Sequence, residues 1–325
     1  MKKVILTALL AALCIVFSAC GGPGAVSTPK DEKDLIVVGF SQVGAESDWR
    51  NANTLSMQTA LSPENGYRLI LDDAQQKQEK QITAIRNFIN QGVDYIVLAP
   101  TTERSWDTVL GEAKAAGIPV IIVDRMIEIE DTGLFTCWIG SDFRREGDTA
   151  VTWMDSRFGN APLRIVHLQG NIGSTAQIGR TDGLDAGLAA HDGWQLVFRS
   201  SGDFTQAKGQ ELVEALLEEG QGFDLIYSEN DNMAYGAIDA LKKAGLRPGE
   251  DVKIVSFDAS STALHMILNG EISFDVECNP LHGPRVRAII EQLEKGETPP
   301  KFTYVEETSF EKEGLSEEII SARGY

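Results

Sequence analysis

Cysteine and histidine are scarce in this chain of 325 residues, which has four of each. The histidines are scattered at positions 167, 191, 265 and 282, and the sequence contains no HExxH, CxxC or GxSxG motif and no glycine-rich phosphate loop with a lysine. Those motifs supply the zinc ligands, redox thiols, nucleophiles and phosphate cradles of common enzyme classes. Their absence predicts a protein that is not an enzyme and that uses no cofactor or metal.

Positive charge is also in short supply. Lysine and arginine total 29 residues against 48 aspartates and glutamates, which gives a formal net charge of −19 at pH 7. Such a molecule repels a polyphosphate backbone, so nucleic acid is not expected as a partner. No helical DNA-binding headpiece precedes the first predicted strand, which argues against a transcriptional regulator.

Long apolar runs are absent apart from one at the amino terminus. Two lysines precede an apolar run from Val4 to Phe17, which is short for a transmembrane helix and is followed by small residues. This order is typical of a secretory signal. The sequence FSAC that ends at Cys20 resembles the lipobox of bacterial lipoproteins. We therefore predict a signal peptide over residues 1–20, lipidation of Cys20 and a flexible tether over residues 21–34, with ordinary signal cleavage as the alternative.

Two cysteines, Cys137 and Cys278, remain in the part of the chain that follows the tether. They could pair in an oxidising compartment, but the sequence does not show that their Cα atoms come within bridging distance. Free cysteine is among the most buried residue types. We therefore predict two separate buried thiols.

Short apolar runs alternate with segments of helical period from Leu35 onward, which predicts parallel sheet covered by helices. The predicted strands cover residues 35–40, 69–72, 95–99, 120–124, 135–140, 164–168, 195–199, 225–228 and 253–257. Predicted helices include residues 80–91 and 210–219, which end at Gly92 and Gly220. The roughly 290 residues after the tether are long for one core and suit two similarly wound halves.

Polar side chains follow the ends of most of these strands. A ligand of an open parallel sheet binds beyond the carboxyl ends of the strands, so these positions form the candidate site. They include Ser41, Glu46, Trp49, Arg50, Asp72, Asp124, Arg125, Arg180, Asn230 and Asp258. Carboxylates and amides accept hydrogen bonds from hydroxyl groups, arginines donate to hydroxyl oxygens, and tryptophan covers an apolar ring face. This inventory suits a neutral polyhydroxylated ligand.

A series of short motifs carries a family resemblance. They include Gly39-Phe40-Ser41-Gln42, Gln75-Gln76-Lys77, Asp124-Arg125, Leu168-Gln169-Gly170 and Gly202-Asp203-Phe204-Thr205. In this order and spacing they resemble the periplasmic sugar-binding proteins of ABC transporters, of the ribose-binding type, and among these the galactofuranose-binding members. The resemblance extends from Leu35 to Tyr325. Ala259 departs from the family pattern, which has a glycine after the aspartate at position 258.

The resemblance implies a type I periplasmic binding protein fold, an α/β fold of two Rossmann-like lobes with parallel sheets joined by three crossover strands. It implies an N-terminal lobe over residues 35–141 and 279–306 and a C-terminal lobe over residues 142–278 and 307–325. The family's sugar contacts correspond to Trp49, Arg50, Asp124, Arg125, Arg180, Asn230, Asp258 and Glu277, with Ser41, Glu46 and Asp72 as second choices. It implies an extracytoplasmic monomer that closes on a monosaccharide and delivers it to an ABC permease.

Other functions compete with this one. The same lobes could serve as the ligand sensor of a chemoreceptor or sensor kinase. Asp124 with Asp258 or Glu277 could form the carboxylate pair of a glycoside hydrolase. We expect Arg125 and Arg180 to keep such acids ionised, which favours hydrogen-bond acceptance over general-acid catalysis. Trp49 could pack in the core instead of stacking on a ligand, because tryptophan is highly buried on average.

Overall fold

The computed structural model describes residues 34–325. The predicted signal peptide, most of the tether and the predicted lipidation site Cys20 lie outside the described residues. Within residues 34–325, no helix is both long enough and apolar enough to cross a membrane.

Residues 34–325 form twelve strands. They are β1 Ile36–Gln42, β2 Tyr67–Asp73, β3 Tyr95–Leu98, β4 Val120–Val123, β5 Cys137–Gly140, β6 Leu163–Gln169, β7 Trp194–Ser201, β8 Leu225–Ser228, β9 Lys253–Asp258, β10 Phe274–Glu277, β11 Phe302–Tyr304 and β12 Ser309–Phe310. The first nine match the predicted strands to within two residues at either end. The last three were not predicted, because they are two to four residues long and mix polar with apolar residues.

The same part of the chain forms ten α-helices. They are α1 Asp48–Ala60, α2 Gln78–Gln91, α3 Asp107–Ala115, α4 Phe143–Phe158, α5 Thr175–Ala190, α6 Gln206–Glu218, α7 Asp231–Lys243, α8 Ser261–Asn269, α9 His282–Glu294 and α10 Glu317–Arg323. Helix α2 shows why the predicted helices form: its apolar stripe buries Ile85 and Phe88, and Gly92 ends it in the left-handed conformation that glycine adopts without strain.

The strands form two six-stranded sheets, which confirms the predicted fold class. The first sheet has the order β11-β5-β4-β3-β1-β2 and is parallel throughout. The second has the order β12-β10-β9-β8-β6-β7, and only β12 runs antiparallel to its neighbour. Helices cover both faces of each sheet, and four apolar clusters fill the spaces between sheet and helices. The chain therefore has two lobes, each with its own core.

The chain passes between the sheets three times, after β5, β10 and β11. Ser141, Cys278 and Glu307 lie at these three passages, which we call the hinge. The Ser141 hydroxyl donates a hydrogen bond of 2.7 Å to the Glu307 carboxylate, and the Asn279 amide donates another of 2.7 Å to the same oxygen. Hydrogen bonds therefore tie the three passages together.

Both cysteines of the described region are free and buried, which confirms the prediction of two separate thiols. Cys137 lies in β5 within the core of the first lobe, and Cys278 lies at the hinge. Burial raises the pKa of the Cys137 thiol to about 11. The thiol is therefore protonated at neutral pH and packs as a small apolar side chain.

The lobes are closed on each other. Polar contacts cross the gap between loops of the first and second lobes. They are Asp48 N to Asn232 Oδ1 at 3.0 Å, Asn171 Nδ2 to Gln76 Oε1 at 2.5 Å, Glu103 N to Gly173 O at 3.2 Å and Met126 N to Thr175 Oγ1 at 3.0 Å. These bonds hold together the lips of an interlobe cleft, because the loops belong to the carboxyl ends of the strands in both sheets.

Candidate functional site

A cavity lies in this cleft, where the carboxyl ends of the strands in both sheets face each other. It encloses about 300 Å³ of empty space, the mouth included. Its lining residues are Glu46, Ser47, Trp49, Arg50, Asp124, Arg125, Phe143, Ala176, Arg180, Phe204, Asn230, Asp258 and Cys278. Hydrogen bonds join the two lobes across the cleft, so a ring-sized ligand requires the lobes to separate before it enters.

On the first lobe, Arg50 is fixed by three acceptors. Its guanidinium lies 2.9 Å from the Asp124 carboxylate, 3.2 Å from Glu46 and 3.2 Å from the Gln42 side-chain oxygen. Asp124 follows β4 with a positive φ of 64°, and Gly140 passes so close to its carbonyl that a Cβ atom would clash. The backbone at Asp124 therefore directs the Asp124 carboxylate, and with it the Arg50 guanidinium, into the cavity.

Arg125 is buried with few acceptors. Its Nη1 donates 3.2 Å to the Thr101 carbonyl, while its Nε has no acceptor among the described residues. The Asp124 carboxylate is 4.0 Å away, and the guanidinium lies 5.4 Å from the centre of the Phe204 ring. Burial and the nearby charge of Arg50 lower the pKa of Arg125 to about 10. Arg125 therefore brings a buried charge with spare donors to the cavity wall.

On the second lobe, Arg180 is held firmly. Its Nε donates to Glu146 at 2.7 Å, its Nη1 donates to the Glu229 carbonyl at 2.5 Å, and its Nη2 lies 3.6 Å from Asp258. Burial by itself lowers the pKa of Arg180, but the charge of Glu146 and other nearby acidic groups outweighs burial and raises the pKa. Its guanidinium also packs over the Phe257 ring at 4.8 Å.

Asn230 and Asp258 complete the second lobe's wall. Asn230 precedes α7, where its side-chain oxygen accepts from the Met233 amide at 3.0 Å and its Nδ2 donates to the Phe204 carbonyl at 3.1 Å. Asp258 ends β9 with a φ of 111°. Burial raises the pKa of Asp258 well above its usual range, although Arg180 opposes the shift. Burial therefore has the larger effect on the pKa of Asp258, and the charge of Arg180 acts in the opposite, expected direction.

Trp49 lines the cavity but is largely enclosed. It is 6% exposed, and its indole Nε1 donates to the Cys278 carbonyl at 2.6 Å. The Arg50 guanidinium lies 4.5 Å from the ring centre. Trp49 belongs to the first lobe by sequence but packs with the apolar cluster of the second, so its ring connects the two lobes at the cleft.

The chain matches the periplasmic binding protein domain over residues 38–308. The chain belongs to the periplasmic binding protein family. It is 36% identical to the galactofuranose-binding protein YtfQ of Escherichia coli over 288 residues, covering 87% of this chain and 90% of that protein. The resemblance expected from the sequence is thus confirmed.

Solved structures of the family superpose closely on this fold. A Mycobacterium smegmatis protein in complex with β-D-fucofuranose is 38% identical, with a TM-score of 0.83 over 88% of this chain and 93% of its own. The binding component of an arabinose ABC transporter from Shewanella sp. ANA-3, bound to α- and β-L-arabinofuranose, is 39% identical, with a TM-score of 0.82 over 89% and 94%.

Most of the predicted contacts of this periplasmic binding protein come together in the cavity, but three do not line it. Ser41 is fully buried within β1. Asp72 is the penultimate residue of the edge strand β2 and is half-buried outside the cavity lining. Glu277 ends β10 at the hinge, where its carboxylate lies 3.1 Å from Arg323 and accepts from the Thr308 amide.

Two lining residues, Phe143 and Phe204, and one supporting residue, Glu146, are not among the residues predicted from the sequence. Phe143 and Glu146 lie in the first turn of α4, directly after the first passage between the lobes. Glu146 does not face the cavity itself but holds Arg180 from behind. Phe204 was part of a quoted motif, and its φ of 60° together with the bare Cα of Gly170 lets its ring enter the cleft. A positive-φ turn after a strand is the signal that could have identified it.

The arrangement suits hydrogen bonding to a neutral polar ligand. Guanidinium groups, carboxyls, an amide and aromatic rings all meet in one cavity. One set of potential metal ligands in the described region, Glu146, Cys278 and Glu307, has ligand atoms within 4.8 Å of one another. Glu146 is already paired with Arg180, and burial raises the pKa of the Cys278 thiol well above its usual range, so this set does not favour a cation.

Proposed function

We propose that this chain captures one small sugar in the interlobe cavity and delivers it to an ABC permease. The observation that supports this most is Arg125, a buried cation with a single close acceptor and spare donors in the cavity wall. Leaving such a group unsatisfied is costly, so a ligand that supplies oxygen acceptors gains affinity there. Sugar hydroxyl and ring oxygens are such acceptors.

We further infer that the sugar is an aldose in its furanose form. The three relatives named above are, by their names, a galactofuranose-binding protein, a complex with β-D-fucofuranose and a complex with arabinofuranose. Each of these sugars has a five-membered ring. The small volume of the cavity favours a single ring over an oligosaccharide.

The proposed contacts are the predicted residues that line the cavity. They are Glu46, Trp49, Arg50, Asp124, Arg125, Arg180, Asn230 and Asp258. The sugar meets one lobe first, and closure adds the donors and acceptors of the other. The hydrogen bonds at the lips of the cleft are made only in the closed form, so they add to the ligand's contacts in favouring closure.

We also propose that the chain acts outside the cytoplasm as a monomer and that a lipid on Cys20 anchors it. It uses no cofactor, and its two lobes have the boundaries predicted from the sequence. It is a binding protein and not an enzyme, as its relatives are. Turnover of a nitrophenyl furanoside by the purified protein would overturn that assignment. Co-purification with a receptor ectodomain instead of a permease would favour the sensing alternative.

Calorimetric titration tests the proposal. The purified protein is titrated with galactofuranose, arabinose, galactose, ribose and myo-inositol. We expect saturable 1:1 binding of at least one sugar that populates the furanose form, and weaker or no binding of myo-inositol. An absence of heat with every sugar contradicts the function, whereas tight binding of a pyranose alone contradicts only the ring form.

A further inference from the structure

A second acidic group lies behind Asp258, outside the cavity lining. Asp231, the first residue of α7, and Asp275 in β10 are both buried, at 1% and 0% exposure. Both accept hydrogen bonds from residues 259 and 260, and the second oxygen of Asp275, Oδ2, is buried without a donor among the described residues. Burial raises the pKa of both carboxyls, and the charge of Asp231 raises that of Asp275 further, so the pair is stabilised when one of the two carboxyls holds a proton.

The hydrogen bonds show which carboxyl keeps the proton. Asp231 accepts three of them: from the Ser256 hydroxyl at 2.7 Å, the Ser260 amide at 2.9 Å and the Ser260 hydroxyl at 2.8 Å. Asp275 accepts one, from the Ala259 amide at 3.1 Å. Donors stabilise the ionised form, so Asp231 is the better stabilised carboxylate and a proton held by the pair resides on Asp275.

Of the four donors, all except the Ser256 hydroxyl belong to the turn that follows Asp258. Asp258 and Ala259 have positive φ values of 111° and 52°, which strain side chains other than glycine. Ala259 is fully buried, and its φ of 52° is one that a Cβ atom disfavours. The acid pair receives the amides of Ala259 and Ser260, so it opposes the strain at the point where the alanine introduces it.

The turn has other supports, and they do not replace the pair. The Ala259 carbonyl accepts from Arg323 Nε at 3.1 Å, and the Ser260 hydroxyl lies 2.6 Å from the Tyr235 hydroxyl. Neither contact satisfies the Ala259 amide. Only Asp275 accepts from that amide among the described residues, so removing its carboxyl leaves a buried donor without a partner.

We propose that Asp231 and Asp275 form a carboxyl clamp that positions Asp258 for the ligand. The clamp holds the strained turn in place, and the turn aims the Asp258 carboxyl at Arg180 and the cavity. Asp275 is thus a positioning residue that acts through Asp258. The effect on a sugar rests on the proposed function, while the effect on the turn does not.

Three substitutions test the clamp through sugar affinity. Asp275→Asn keeps an acceptor for the Ala259 amide and a donor toward Asp231, so we expect affinity within about threefold of wild type. Asp275→Ala leaves the Ala259 amide unpaired, and we expect affinity to fall by about tenfold. Adding Ala259→Gly to Asp275→Ala removes the strain that the clamp opposes, so most of the lost affinity should return.

Val276→Ala provides the matched control. Val276 neighbours Asp275 in β10 and is buried in the core, so this change lowers stability without touching the turn. We expect the affinity of this variant to equal that of wild type. The proposal is wrong if Asp275→Ala binds sugar as wild type does. It is also wrong if adding Ala259→Gly to Asp275→Ala restores stability but not affinity. If Asp275→Ala does not fold, the double variant decides, because it must then fold and bind.

Hydrogen exchange of the Ala259 amide tests the clamp without any ligand. We expect this amide to be protected in wild type, in Asp275→Asn and in Val276→Ala, and to exchange at least about tenfold faster in Asp275→Ala. Equal exchange in all four proteins overturns the clamp whether or not a sugar binds. Faster exchange in Asp275→Ala from a protein that binds no sugar supports the clamp and rejects the proposed function.

Discussion

Arg125 and Arg180 lie in the same cavity, both about 97 to 98% buried, but they are compensated very differently. Arg180, from the second lobe, has two hydrogen-bonded acceptors and a second carboxylate at 3.6 Å. Arg125, from the first lobe, has one carbonyl at 3.2 Å and an unpaired Nε. The pKa of Arg180 is raised and the pKa of Arg125 is lowered to about 10.

This difference separates two roles within one site. The second lobe holds the Arg180 guanidinium with two acceptors of its own. The first lobe leaves the Nε of Arg125 without an acceptor among the described residues, with the Asp124 carboxylate 4.0 Å away. Under the proposed function, sugar oxygens offset the cost of burying Arg125.

Replacing Arg180 with methionine should have the largest effect. It leaves the Glu146 carboxyl buried without its cation, so we expect the free energy of unfolding to fall by about 3 to 5 kcal/mol. Urea unfolding followed by circular dichroism measures it. Arg164→Met is the control, since Arg164 pairs with Asp224 at the surface and should change stability by less than about 1 kcal/mol. Equal losses in the two variants contradict the distinction.

Replacing Arg125 with methionine should act on binding instead. We expect sugar affinity to fall by about 2 to 4 kcal/mol, or roughly 30-fold to 1,000-fold, because the ligand's acceptors lose their donors in a dry cavity. The unliganded protein should be as stable as wild type or more stable by about 1 kcal/mol, because a poorly compensated buried charge is gone. Calorimetry and urea unfolding measure the two quantities. A large loss of stability in this variant removes the contrast with Arg180.

Most of the lining residues could be predicted from the sequence. Asp124, Arg125 and Asp258 follow apolar strands directly, and parallel strands bring their carboxyl ends to one edge of each sheet. The same argument placed Asp72 wrongly near the cavity, because it does not show that β2 is an edge strand. Glu277, which the family resemblance places among the sugar contacts, ends a strand that leads into the hinge, and its carboxylate lies 3.1 Å from Arg323.

Other parts of the site depend on packing that no local pattern records. Glu146 reaches Arg180 from a different helix, and the clamp joins α7, β10 and a turn that are separated in sequence. The raised pKa of Asp258 follows from burial, one cation and several acids together, and these come from distant parts of the sequence. Strand positions could be predicted because they follow from short-range apolar runs, whereas these networks follow from tertiary contacts.

Two carboxyl groups near the hinge also differ in whether a cation pairs with them. Glu146 is paired with Arg180, but no ion pair of the described residues includes Glu307, which accepts only from Ser141 and the Asn279 amide. Burial, with the charge of Glu146, raises the pKa of Glu307 to about 8. In the folded protein Glu307 therefore keeps its proton up to about pH 8, whereas in the unfolded chain it loses the proton near pH 4.5.

Replacing Glu307 with glutamine should give the smallest of the three effects. A raised carboxyl pKa contributes stability below the unfolded pKa, and this contribution is lost as pH rises through about 8. Wild type should therefore lose about 1 kcal/mol more than Glu307→Gln between pH 7 and 9, a figure reduced for the partial exposure of the side chain. This range avoids His282, whose pKa burial lowers to about 4. The exposed Glu306→Gln serves as the control and should keep the wild-type slope; parallel slopes for all three proteins would show that Glu307 is ionised in the fold.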